Sequence, residues 1–131
     1  MIVIDASALL EMLLQTGKAE RLMQRALADS ERLNAPELLD IEAANVMRRL
    51  TQRKEISLQR AERAFEDFSQ LIIERHSHAP LLPRIWELRD SMSAYDAAYI
   101  ALAEGLGAPL LTCDARLARA HGHHANVELI E

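Results

Sequence analysis

At 131 residues, half of them hydrophobic, the chain has the length of one domain and enough apolar material for a core without disulfide or metal staples. Charged residues at 27% with plentiful Leu and Ala argue against intrinsic disorder, and four glycines and four prolines exclude collagen-like or low-complexity architecture. Lys+Arg 15 against Asp+Glu 20 leaves a formal charge of −5, which disfavours a phosphate-binding surface unless much of the excess acid is gathered into one cation site.

The single cysteine, Cys113, excludes an internal disulfide and fits a reducing cytoplasm. Met1 leads directly into Ile-Val-Ile-Asp without a basic leader, and no apolar run approaches the roughly 18 residues of a spanning helix. A soluble cytoplasmic protein without a membrane partner is expected.

Ile2-Val3-Ile4 is a β-branched run ending at Asp5, the pattern of a buried strand that feeds a helix. Ser7 is placed to cap a helix through Leu9, Leu10, Leu13 and Leu14, and Ala19 to Leu27 repeats the helical spacing. Arg32 to Ala35 predicts a second strand, and Pro36 suits the first turn of a helix running from Glu37 to Arg53. Ser57 opens a helix with an apolar stripe from Ala61 to Ile72, and residues 72–78 turn into a third strand. Leu81 to Met92 is helical in pattern, with Pro83 tolerable only in its first turn. Ala94 to Leu106 is a stronger helix, stopped by Gly107 and Pro109. Leu110 to Cys113 is a fourth strand, Asp114 to His121 a short helix and Val127 to Ile130 a last strand. Strands alternating with helices predict an α/β fold whose parallel sheet is covered on both faces. No repeat or linker divides residues 1–131, so a single domain is expected.

Four acids stand out. In an open α/β sheet, ligands bind beyond the carboxyl ends of the strands, where Asp5 follows the first strand and Asp114 the fourth. Glu42 borders the apolar stripe of Leu39, Ala43 and Val46, and shares its side of the helix with Asn45 and Arg49. Asp96 lies in Ser93-Ala-Tyr-Asp96. Each has a plain structural use: a turn carboxylate for Asp5, a solvated helix residue for Glu42, a capping-box acid for Asp96 and a helix cap for Asp114.

Taken in order, the segments Ile2-Val-Ile-Asp5-Ala-Ser-Ala-Leu9, Ala35-Pro-Glu-Leu-Leu-Asp-Ile-Glu42-Ala-Ala-Asn45, Tyr95-Asp96-Ala-Ala-Tyr99-Ile-Ala-Leu-Ala-Glu104 and Pro109-Leu-Leu-Thr112-Cys-Asp114 cover nearly the whole chain. Together they resemble the PIN-domain nuclease family, and within it the small VapC-type toxins. The resemblance implies a three-layer α/β/α PIN-like fold and a metal-dependent endoribonuclease acting as the toxin of a toxin–antitoxin pair. It implies an acidic quartet of Asp5, Glu42, Asp96 and Asp114 as catalytic and metal-binding residues, with the Thr112 hydroxyl supporting the first and last. It also implies an RNA substrate, a small antitoxin that blocks the cleft and a homodimer. The chemistry is consistent, since phosphodiester hydrolysis needs an activated water and charge neutralisation. Mg²⁺ or Mn²⁺ supplies both when held by hard oxygen ligands. Converging carboxylates repel one another without a cation. Asp5 is the natural bridge between two ions, with Glu42 and Asp96 on one side and Asp114 on the other.

Other features give alternatives. Asp40 lies about 200° around the helix from Glu42 and should face solvent. His76 and His78 on one strand face, with His121, His123 and His124 in a loop, raise a zinc site, although paired acids or cysteines at zinc spacing are missing. Arg48, Arg49, Arg53 and Lys54 are equally candidates for RNA phosphates and for a solvated helix end. A receiver-like Mg²⁺-binding signalling domain would need an acid pair after strand one, a phosphoacceptor after strand three and a late Lys. Here Asp5 stands alone, strand three ends at His78 and Thr112-Cys-Asp114 carries no Lys. A PIN fold that only binds partners is the remaining rival, against which the intact quartet argues.

Overall fold

Ile2, Val3 and Ile4 are almost completely excluded from solvent, as a strand covered on both faces requires. They form β1 (Ile2–Ile4) at the centre of a five-stranded sheet, in a computed structural model that describes residues 1–28 and 31–131. The order is β3-β2-β1-β4-β5, with β2 (Leu33–Pro36), β3 (Ile73–His76), β4 (Leu110–Thr112) and β5 (Val127–Leu129). Every neighbouring pair is parallel, Val3 standing opposite Asn34 on one side and Leu110 on the other. This is the three-layer PIN-like α/β arrangement expected from the sequence.

The chain first moves outward from β1 to β2 and β3, through α1 (Ala6–Leu13), α2 (Ala19–Leu27), α3 (Leu38–Gln52) and α4 (Leu58–Gln70). It then crosses back through α5 (Leu82–Glu87) and α6 (Ala94–Leu106) to β4, and through α7 (Ala115–Ala118) to β5. Right-handed crossovers place helices on opposite faces when the direction reverses. The reversal lies between β1 and β4, so a crevice opens beyond the carboxyl ends of these strands. α6 packs against β1, β2 and β4, and its buried run from Ala97 to Ala103 is apolar nearly all round, as a helix lying across the sheet centre must be.

Several boundaries differ from the sequence expectation. α1 is capped by Asp5, whose carboxylate accepts the Ala8 N–H, and not by Ser7, which lies inside the helix. Pro36 is the last residue of β2 opposite His76, and helix α3 begins at Leu38. A proline at the end of a strand loses no ladder bond of consequence. The region 81–92 opens with a 3₁₀ turn (Ala79–Leu81), has Pro83 in the first turn of α5, and is helical only to Glu87. Asp90 and Ser91 beyond it, in a turn, are residue types that favour turns over helix interiors. α7 likewise stops at Ala118. Ser57 caps α4 and Ser93 caps α6 as expected, and Gly107 takes the left-handed conformation (φ 61°) that ends α6.

Candidate active site

Asp5 leaves the central strand with its N–H donated to the Leu111 carbonyl of β4 at 3.3 Å, which fixes it beside the second strand of the crevice. Both oxygens of its carboxylate accept hydrogen bonds. Oδ1 accepts from the Ser7 hydroxyl at 2.7 Å and the Ala8 N–H at 2.9 Å, while the Thr112 hydroxyl donates to Oδ2. Thr112 Oγ1 in turn accepts the Asp114 N–H at 3.0 Å. One hydroxyl therefore ties the end of β1 to the residue that caps α7. Asp5 is 6% exposed, and burial pushes its carboxyl above the usual carboxylate range against these three hydrogen bonds, with the charge of Asp114 adding to the rise.

Glu42 reaches the same end from α3, where buried Leu39 and Ala43 pin the helix face beside it. The Tyr99 hydroxyl of α6 donates to Glu42 Oε1 at 2.5 Å. Burial raises the Glu42 pKa against that bond, and the charges of Asp96 and Asp5 push the same way. Burial, Glu42 and then the charges of Asp5 and Asp96 hold the Tyr99 phenol far above its ordinary value, so it remains a proton donor. Tyr99 has a part that the spacing of the acids did not announce. Its place one turn after Asp96 on the same helix was the available signal.

Asp96 sits in the first turn of α6, where its N–H donates to the Ser93 hydroxyl at 3.2 Å. The carboxylate turns to Arg116, with Oδ2 at 3.0 Å from a guanidinium nitrogen. The same nitrogen lies 3.2 Å from Asp114 Oδ2. Asp114 Oδ1 meanwhile caps α7 through the N–H groups of Arg116 at 2.9 Å and Leu117 at 3.3 Å. The capping reading of Asp114 is thus correct as far as it goes, while Asp5, expected as a turn carboxylate, caps α1; both carboxylates also belong to the cluster.

The fold gathers Asp5, Glu42, Asp96 and Asp114 at one end of the sheet, linked through Thr112, Tyr99 and Arg116. The donors are hard oxygens of the kind that Mg²⁺ and Mn²⁺ take. Among the described residues, no three His, Cys, Asp or Glu already surround a single point where an ion would sit. The donor chemistry fits a divalent cation, and the Arg116 guanidinium bridges two of the four acids.

Several of the remaining candidates have other occupations. His76 Nε2 lies 2.9 Å from Asn34 Oδ1, and His78 Nε2 accepts the Leu38 N–H at 3.1 Å. The His123 ring bonds to the Ala120 carbonyl and the Ala125 N–H. These rings brace loops and strand ends rather than converge on a zinc ion. Asp40 does not simply face solvent, because it pairs with Arg75 on edge strand β3 at 2.8 Å. Burial pushes the Cys113 thiol up to about 11, which keeps it protonated and unsuited to nucleophilic chemistry. Arg48 bonds to Asn45 and Gln52 on its own helix.

A parallel sheet with carboxylates gathered at its reversal point defines the class: residues 2–122 match the PIN domain family, and the chain belongs to it. Within that family it is 45% identical over 117 residues to ribonuclease VapC9 of Mycobacterium tuberculosis, covering 89% of this chain and 88% of that one. It is 39% identical over 130 residues to ribonuclease VapC12 of the same organism, covering 99% of each. The fold is similar to that of VapBC2 from Rickettsia felis, solved bound to a DNA fragment from their promoter, with a TM-score of 0.72, 13% identity and full coverage of both chains.

Proposed function

We propose that this chain is a Mg²⁺- or Mn²⁺-dependent endoribonuclease, the toxin of a toxin–antitoxin pair, built as one PIN-like domain over residues 1–131. The observation that carries the reading is the convergence of Asp5, Glu42, Asp96 and Asp114 beyond the strand ends, in a chain similar over nearly its whole length to VapC ribonucleases. Mg²⁺ or Mn²⁺ bound there would supply an activated water and neutralise charge on the phosphoryl group.

The chain's own residues prepare that chemistry. Asp5, Glu42, Asp96 and Asp114 would hold the ion. Asp5 is held rigid by three donors, so its ligand oxygens need no reorganisation. Thr112 keeps Asp114 in register with Asp5. Tyr99 fixes the orientation of Glu42 and remains protonated while doing so.

The partners are an RNA and a small cognate antitoxin, with a homodimer as the assembly. Exposed Ile41, Leu82, Trp86 and Tyr95 provide apolar surface suited to protein partners. No helix among the described residues is long and apolar enough to cross a membrane, in keeping with action in the cytoplasm. Expression without the antitoxin tests the toxin role: the wild-type chain should arrest growth and Asp5→Asn should not. Equal growth with both would remove that role.

A further inference from the structure

We infer that Arg116 is a partner-exchanging residue of the cleft: it closes the metal-free site by pairing with Asp96 and Asp114, and binds an RNA phosphate once a divalent cation has taken those acids. The inference rests on the metal-nuclease reading and adds to it a specific cation from the chain itself.

One terminal nitrogen of Arg116 lies 3.0 Å from Asp96 Oδ2 and 3.2 Å from Asp114 Oδ2, so a single guanidinium bridges acids from two separate elements. Those oxygens are among the ones a bound cation would need. Arg116 and the cation would therefore compete for the same oxygens.

The side chain is built to leave. It is 67% exposed, whereas the Asp96 and Asp114 side chains are 19% and 32% exposed. Exposed pairs are weakly held, and a divalent ion outbids a single charge for converging carboxylates. Only the backbone N–H of Arg116 takes part in the α7 cap, so the side chain swings free without disturbing the helix.

Its second partner follows from charge and geometry. A released guanidinium at the mouth of the site keeps its charge at every relevant pH. It also presents planar paired donors that match two phosphate oxygens. The basic residues of α3 are poorly placed for that task, since Arg49 and Arg53 lie about 10 and 16 Å along the helix axis from Glu42. Arg116 is already in contact with two of the four acids.

The test compares wild type, Arg116→Gln and Arg116→Lys by calorimetric titration with Mn²⁺ in the absence of RNA, then by the salt dependence of KM for a cleavable RNA at saturating Mn²⁺. Arg116→Gln should bind Mn²⁺ about 2- to 10-fold more tightly, because the competitor is gone. Its KM should rise, and the log–log slope of KM against salt should become shallower by about 0.7, the loss of one single-strand phosphate contact. Arg116→Lys should keep the salt slope and show intermediate Mn²⁺ affinity. A role confined to fold stability would leave both the Mn²⁺ affinity and the salt slope unmoved. Unchanged or weaker Mn²⁺ binding by Arg116→Gln, or an unchanged salt slope, overturns the exchange while leaving the nuclease intact. A wild-type chain that takes up no Mn²⁺ overturns the metal-nuclease reading, and the exchange with it.

Discussion

Asp5 is both a helix cap and a buried acid, and the two roles make opposite demands on its charge. Its raised pKa, and that of Glu42, mean that the folded metal-free protein binds these protons more tightly than the unfolded chain does. Their contribution to stability is therefore full below the ordinary carboxylate range, about pH 4, and is lost as pH rises through the raised values. Glu104 and Glu128 are lowered by Arg84 and Arg25, so their contribution is lost only at more acid pH and falls outside this window. The melting temperature of the metal-free wild type should thus decline from pH 5 towards neutrality more steeply than that of Asp5→Asn. Parallel curves would show that Asp5 carries no such strain. Asparagine is tolerated because its oxygen still accepts from Ala8 and its amide can donate to Thr112. Tyr99→Phe makes a second prediction. The ring stays buried, but Glu42 loses its donor, so kcat should fall about 10- to 100-fold with the melting temperature little changed. Full activity of Tyr99→Phe would show that Glu42 needs no such support.

At the scale of the element, α6 separates stability from function because its two ends do different work. Gly107 closes it at φ 61°, with nothing within 4 Å of an added Cβ, so Gly107→Ala costs only the backbone strain, about 1 kcal/mol. Ser93→Ala removes the cap at the other end for a similar cost of about 1 kcal/mol. Both should lower the melting temperature by several degrees. Only Ser93→Ala should also lower cleavage, since it frees the turn that holds Asp96, whereas Gly107 lies 11 residues along the helix, about 16 Å away. Equal loss of cleavage in both would mean that α6 acts as one rigid lever. The serine cap and the glycine stop made α6 legible from the sequence. Local signals failed where a distant partner decided the outcome. Asp40 reads as solvated until the β2–β3 crossover brings Arg75 to it.

At the scale of the molecule, chain reversal between β1 and β4 turns four acids, spread over more than 100 residues, into one cluster. The order of strands and helices, the parallel sheet and the four acidic positions could all be read from the chain. Tyr99 and Arg116 could not be assigned a part, because their contacts depend on how α6, α3 and α7 meet. The −5 charge also takes on meaning at this scale: part of it is gathered at the site, where on the proposed function a bound divalent cation would convert it from a barrier into an attraction for RNA. The direct test of that account is cleavage of an RNA by purified wild type and Asp5→Asn, each in chelator and then with added Mn²⁺. Wild-type cleavage should stop in chelator and return with Mn²⁺, and Asp5→Asn should remain folded and inactive throughout. Cleavage by Asp5→Asn at the wild-type rate, or wild-type cleavage undiminished by chelator, would contradict it.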